Sequence, residues 1–237
     1  MYFFRKALCI SSLAVAAYAS AVPRELIPRT PLLQLVNLRI EGSTETFYEA
    51  PIISGPHNVT TASGGTHPCN GLNLNANPTP GNTPTDALDA ASKLAGFTFD
   101  GTFDTEFDDF FITRIATDTE TATEFWGLLV NFQFTPVGGC QFETNTGDEV
   151  LWAFNAFNLE HFLKVTPGDG VVKRGGSITV TVTDGSTGEV IEGAVIDGVT
   201  TNASGEATLT FPHVGIFSYK ATLPGSLRSN ALRVVVA

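Results

Sequence analysis

Between residues 126 and 157 the run WGLLVNFQFTPVGGCQFETNTGDEVLWAFNAF alternates apolar and polar side chains. Trp126, Leu128, Val130, Phe132 and Phe134 fall on one face and Gly127, Asn131, Gln133 and Thr135 on the other, the period of a half-buried strand, with Leu129 the exception. Past the turn signal Gly147-Asp148, Val150, Trp152 and Phe154 alternate with Glu149, Ala153 and Asn155. The pattern predicts a core hairpin of two long strands around a loop that carries Cys140.

Upstream, Val36, Leu38 and Ile40 alternate with Asn37, Arg39 and Glu41, and Gly42-Ser43 allows a turn into a second strand at 46–49. Residues 55–82 are mostly Gly, Asn, Thr, Pro and Ser, a stretch read as one long loop that is either functional or disordered. TPTDALDAASKLAG then carries helix signals: Thr83 to cap, Pro84 at the first position, Asp86 in the first turn and Gly96 to end it. Leu88, Ala91 and Ala95, flanked by Ala87 and Leu94, form its apolar face. Phe111, Thr113 and Ile115, alternating with Ile112 and Arg114, predict a further strand.

Composition changes near Lys164. Thirteen of the 18 Phe and both Trp lie between Phe97 and Phe162, whereas the rest of the chain is rich in Val, Thr and Gly. SITVTVTDG, EATLTF, GIFSYKAT and NALRVVVA read as short strands separated by Gly and Asp turns, with no helix signalled. A domain boundary is therefore expected at the turn-rich VTPGDG, after Lys164.

At the N-terminus, Arg5 and Lys6 precede an apolar run from Ala7 to Ala17 and the small residues Ala19 and Ala21, the pattern of a secretory signal peptide over 1–21. The proline-containing 22–32 reads as a flexible leader. Without the signal the chain holds 11 Lys and Arg against 24 Asp and Glu, a net charge of −13. So acidic a protein repels phosphate backbones and anionic lipid, so neither nucleic acid nor a membrane is an expected partner. With Cys9 inside the signal, Cys69 and Cys140 remain as one pair in an oxidising compartment and are expected to be joined. Asn58-Val59-Thr60 and Asn202-Ala203-Ser204 are N-glycosylation acceptors.

VNLRIEG, the Ala-rich helix ending at Gly96, FFITRI, WGLLVNFQFTPVGGCQ and GDEVLWAF together resemble the transcobalamin-C-terminal-like domain, a domain of unknown function in secreted fungal and bacterial proteins. The resemblance covers 33–163 and implies an α+β, β-grasp-like fold with one main helix. VTVTDGSTGEVIEGAVIDG, TTNASGEATLTF and GIFSYKATLPGSLRSNALRVVV resemble an immunoglobulin-like or carboxypeptidase-regulatory-like β-sandwich, which implies an all-β domain over 164–237. Transcobalamin binds cobalamin between two domains, and its large helical domain has no counterpart in this sequence.

No G-x-S-x-G elbow and no H-x-x-x-H pair occurs, so neither a serine hydrolase of that type nor a zinc hydrolase is signalled. Asp100, Asp104, Glu106, Asp108 and Asp109 miss the spacing of a calcium loop and read as a solvated acidic turn. The expectation is a secreted, monomeric, non-catalytic protein without metal or cofactor. It would bind an extracellular small molecule, a cell-surface glycan or a protein. Candidate contact surfaces are the 55–82 loop and the surface around Trp126 and Asn131. The alternative is a carbohydrate-active hydrolase with paired carboxylates.

Overall fold

The computed structural model describes residues 33–237; the expected signal peptide and leader lie outside the described residues. Strands β1 (Gln34–Glu41) and β2 (Thr46–Ser54) form the first hairpin, and β3 (His57–Thr61) with β4 (Gly65–Cys69) a second. Helix α1 (Pro84–Ala95) follows, then β5 (Phe99–Asp104), β6 (Asp109–Ile115), β7 (Asp118–Thr119), β8 (Trp126–Val130), β9 (Gln133–Phe134) and β10 (Glu149–Phe154). Beyond a short 3-10 turn lie β11 (His161–Thr166), β12 (Asp169–Val172), β13 (Ser177–Asp184), β14 (Val195–Ile196), β15 (Val199–Thr200), β16 (Glu206–Thr210), β17 (Gly215–Tyr219), β18 (Ser226–Leu227) and β19 (Leu232–Val236). The described chain is thus mostly β, with one α-helix.

The main sheet has the order β2-β1-β10-β8-β9, with β1 and β10 parallel and the other pairs antiparallel. The predicted core hairpin is β8 against β10, Val130 opposite Val150 and Leu128 opposite Trp152. Its first strand is shorter than the alternation suggests. Asn131 and Phe132 take left-handed φ values of 50° and 61°, so the chain turns back into β9 after Val130. Both central strands are buried on both faces. One face, with Val36, Leu38, Ile40, Trp126, Leu128, Val150 and Trp152, packs with Leu88 and Ala91 of α1. The other, with Leu129, Leu151 and Ala153, packs with Phe132, Phe162 and Leu227. Leu129, the exception to the alternation, therefore belongs to a second apolar cluster.

The helix carries the expected caps. Thr83 Oγ1 accepts from the Asp86 N–H at 3.1 Å, the Thr83 N–H donates to Asp86 Oδ2 at 3.1 Å, and Gly96 ends the helix at φ 78°. Ala87, Leu88 and Ala91 are wholly buried, whereas Leu94 and Ala95, expected on or beside the same apolar face, are exposed. Complete burial of Leu88 alone contributes roughly 2 kcal/mol.

The 55–82 stretch is not loop throughout. Val59 and Thr61 turn inward from β3, and β4 brings Cys69 to the core, so alternate residues of a polar segment suffice for a hairpin once one face is covered. Cys69 and Cys140, 71 residues apart, are joined as expected, with Cα atoms 4.3 Å apart. In β6 the buried apolar residues are Phe110, Ile112 and Ile115, while Phe111, expected on the same face as Ile115, is exposed and Thr113 half-buried, because the bulge at Thr113 interrupts the alternation.

Downstream, β16-β13-β11-β18 and β12-β19-β17 form two sheets whose inward residues, among them Leu163, Val180, Val182, Leu209, Leu232 and Val234, share one core. Among the described residues this part holds no helix after the 3-10 turn. It meets the main sheet through ions as well as through Phe162 and Leu227. Glu41, fully buried at the end of β1, accepts from Arg228 and Lys220 and from Thr46 Oγ1 at 3.0 Å. Glu49 of β2 accepts from the Ala231 N–H at 2.7 Å.

Candidate binding groove

A groove of about 710 Å³ lies beside the β5–β6 hairpin. The hairpin supplies Phe103, Phe107, Phe110 and Phe111. Pro136 and Val137, in the loop before Cys140, face them, and Asn73 and Leu74 form the lip. Four aromatic rings in one hairpin are an apolar body that the hairpin cannot bury by itself. Phe107 is 64% and Phe111 49% exposed, as is Leu74 at 58%.

Backbone geometry holds these side chains out. Gly101 faces a bulge in β6, where Thr113 is the extra residue, and a Cβ there would lie 2.8 Å from the Phe111 carbonyl oxygen, so only glycine lets the strands close. Asn73, Leu74 and Asn75 sit consecutively at φ 46°, 52° and 70°. Asn tolerates the left-handed region, but Leu74 is strained there, at a cost of about 1–3 kcal/mol. The turn is pinned by Asn77 N–H to the Leu72 carbonyl at 3.0 Å and Ala76 N–H to the Asn73 carbonyl at 2.9 Å. A strained turn thus presents an apolar side chain to water at the mouth of an apolar groove.

Two polar groups reach the groove from behind the rings. Asp109 is buried and accepts from the Phe110 N–H at 2.7 Å and the Cys140 N–H at 3.0 Å, which fixes the disulfide loop against β6. Burial pushes its carboxyl up to about 6, against those N–H groups. Gln141, 3% exposed, donates from Nε2 to the Asp108 carbonyl, while its Oε1 is buried without a partner. A buried acceptor left unpaired costs about 1–3 kcal/mol.

Of the acidic segment, Asp104 and Asp109 reach the groove. Asp100 instead accepts from Ser63 N–H and Oγ–H at 2.9 and 2.7 Å, and Asp104 Oδ1 caps the Glu106 N–H at 2.8 Å. Among the described residues no three His, Cys, Asp or Glu gather to hold a metal. Trp126 lies in the core, its Nε1–H donating to the Asp118 carbonyl at 3.2 Å. Asn131 is exposed and closes its turn, Nδ2 donating to Asp148 at 2.8 Å and Oδ1 accepting from the Glu149 N–H at 2.9 Å. Asn58 and Asn202 are exposed. His67 stacks on Phe103 with ring centroids 3.4 Å apart, and His161 pairs with Asp184 at 2.8 Å.

His57 belongs to a separate cluster at the start of α1. Its Nε2 is 2.6 Å from Asp89 Oδ2, and its Nδ1 lies 2.8 Å from the Gly55 carbonyl and 3.2 Å from Asp86 Oδ1. The Asp89 bond raises the imidazole's pKa; burial raises Asp86 to about 7. Among the described residues the bonds of His57 are to these acids and to the Gly55 carbonyl, which makes an ion cluster at the helix start.

No family model matches the chain. No curated protein matches it either. Among solved structures, a crystal structure of haptocorrin in complex with Cbi aligns at 15% identity and a TM-score of 0.34, over 53% of this chain. The match spans 25% of that protein. No helix among the described residues is long and apolar enough to cross a membrane.

Sequence reasoning missed Gln141 and the groove. The available signal was FDGTFDTEFDDFF, where aromatic residues recur inside an acidic turn that has no core of its own to bury them.

Proposed function

We propose that the protein is a secreted, monomeric, non-enzymatic binding protein that takes a small, uncharged amphipathic molecule into the Phe103–Phe111 groove. The observation that carries this reading is the buried, unpartnered Oε1 of Gln141 behind a 710 Å³ apolar groove. A concave apolar pocket with few convergent polar groups is the usual form of a small-molecule site. The ligand would lay an apolar body on Phe107 and Phe111 and donate a hydrogen bond to Gln141. The net negative charge and the carboxylate of Asp104 at the lip disfavour an anion. A β-grasp-like fold over 33–163 and an immunoglobulin-like sandwich over 164–237, with the boundary after Lys164, belong to the same proposal.

The test is thermal unfolding against a panel of neutral amphipathic molecules, with Nile red fluorescence as a second readout. Binding to the folded form raises the melting point. A saturable shift is expected, weakened on the order of tenfold by Phe111→Ser and by Phe107→Ser, since each removes apolar contact area from the ligand. A panel with no stabilising member, or a shift that survives both substitutions together, overturns the reading.

One observation favours a second reading, a hydrolase with paired carboxylates. Asp104 and Asp109 are opposite one another in the β5–β6 register, one exposed and one buried, and Asp109 near 6 has the character of a general acid. Turnover of a glycan that Asp109→Asn abolishes would establish it in place of the binding role.

A further inference from the structure

Arg39 stands in the middle of β1, on the face turned away from α1, and only 6% of it is exposed. A guanidinium has five N–H donors. Among the described residues one bond is made, from Nη1 to the Arg228 carbonyl at 2.9 Å, and Glu41 Oε1 is 3.8 Å away, beyond hydrogen-bond reach. Among the described residues Nε and Nη2 have no hydrogen-bond acceptor. The acids around it are engaged elsewhere: Glu41 and Glu49 with Lys220, and Glu149 with Lys164 at 3.3 Å. Burial lowers the Arg39 pKa even with three glutamates near.

The guanidinium lines a cavity of about 260 Å³ between the main sheet and the segment around Asn230. Phe132 flanks it, with the Arg39 Cζ 5.6 Å from the ring centre, and Arg233 is a second cation in the wall. Nε–H and Nη2–H form the fork that receives a planar carboxylate with two parallel hydrogen bonds. Glu49, Glu149 and Asp169 also line the cavity, so a dianion such as phosphate would meet three carboxylates there.

We propose that this cavity is a second binding site, distinct from the phenylalanine groove, and that it takes a small monocarboxylate on the Nε and Nη2 donors of Arg39. Two sources share that chemistry. A simple carboxylic acid uses Arg39 alone, while a small α-amino acid would also place its ammonium near the cavity's acids.

The experiment is thermal unfolding of the full chain with propionate, with alanine, and with propionamide and sulfate as controls at matched ionic strength. Saturable stabilisation by propionate or alanine is expected, with none from propionamide. A larger shift with alanine identifies an amino acid as the ligand type, and equal shifts identify the simple acid; either supports the site. Arg39→Lys keeps the buried cation but loses the fork, and should weaken binding roughly tenfold. Should that variant fail to fold, Phe132→Leu in the cavity wall is the substitute, with the same weakening expected. Phe111→Ser in the groove should leave carboxylate binding unchanged. The site is overturned by no carboxylate effect, by an equal effect of sulfate, or by carboxylate binding that neither Arg39→Lys nor Phe132→Leu weakens.

Discussion

Arg228 places two donors on one oxygen of Glu41: Nε at 3.1 Å and Nη2 at 2.9 Å from Oε2. Lys220 takes the other oxygen, and the carboxylate is wholly buried. An ion pair of this kind contributes little beyond an apolar replacement, but losing one partner leaves buried charge uncompensated. Glu41→Gln is therefore expected to lower unfolding free energy by about 3–5 kcal/mol in urea titration. Glu41→Met with Arg228→Met should recover part of that. A Glu41→Gln loss under ~1 kcal/mol, the range of an exposed pair, would show that the clasp is solvated.

Stability should fall as pH rises from 5 to 8. Asp109 moves from 3.8 unfolded to about 6 folded and Asp86 from 3.8 to about 7, both chiefly through burial, so the folded protein holds these protons more tightly. For a raised carboxyl the stabilisation is complete below the unfolded pKa and is lost as pH climbs through the folded one. His57, raised by its bond to Asp89, acts with the same sign from 6.5 upward. Asp89 and Glu49 are both pulled low, although burial opposes the shift. Asp89 is lowered by His57 and Lys93, Glu49 by Lys220, and both act below pH ~5. The melting point should be several degrees higher at pH 5 than at pH 8, and Asp109→Asn should flatten part of the slope. A flat or rising profile would refute the assignment.

Reducing the Cys69–Cys140 bond releases a constraint over 71 residues. In the chain-entropy estimate that constraint is worth roughly 4 kcal/mol, and Cys69→Ser should cost about that in denaturant unfolding. Thiol titration of the denatured, unreduced protein should find no free sulfhydryl on residues 33–237. Two titrating thiols would show that the bond does not form.

Asn58 projects from β3 opposite Pro68 with its side chain exposed, whereas Asn202 Oδ1 accepts from the Ser204 and Glu206 N–H groups at 2.8 and 3.0 Å. In a eukaryotic secretory host Asn58 is expected to carry the higher glycan occupancy, because Asn202 must leave its turn to react. Glycopeptide mass spectrometry decides, and greater occupancy at Asn202 would reverse the ranking.

The helix was legible to the residue because its signals are local: Thr83, Pro84, Asp86 and Gly96 act within one turn of their own backbone. The β8–β10 hairpin was legible from alternation, but its second buried face was not, because Phe162 and Leu227 reach it from distant sequence. The β3–β4 hairpin escaped for the same reason. Val59 is a lone apolar residue among polar ones until α1 and β5 cover it. The groove depends on a bulge at Thr113 that faces Gly101, three left-handed residues and an unpaired amide oxygen, none of which leaves a periodic trace. Arg39 reads as the polar side of a strand, and only assembly shows that side to be covered.

The parallel pairing of β1 with β10 has a kinetic side. Asn37 lies beside Glu149, with roughly 110 residues of chain between them, and no local turn can bring the two together. The first hairpin can form early, but its inner strand has no second neighbour until β10 arrives, and closing so long a loop must precede the contacts that reward it. Until then Leu38 and Ile40 stand on an open edge. Assembly of the sheet is therefore a late, slow step, and during it the emerging chain is most exposed to pairing with the edge of another molecule.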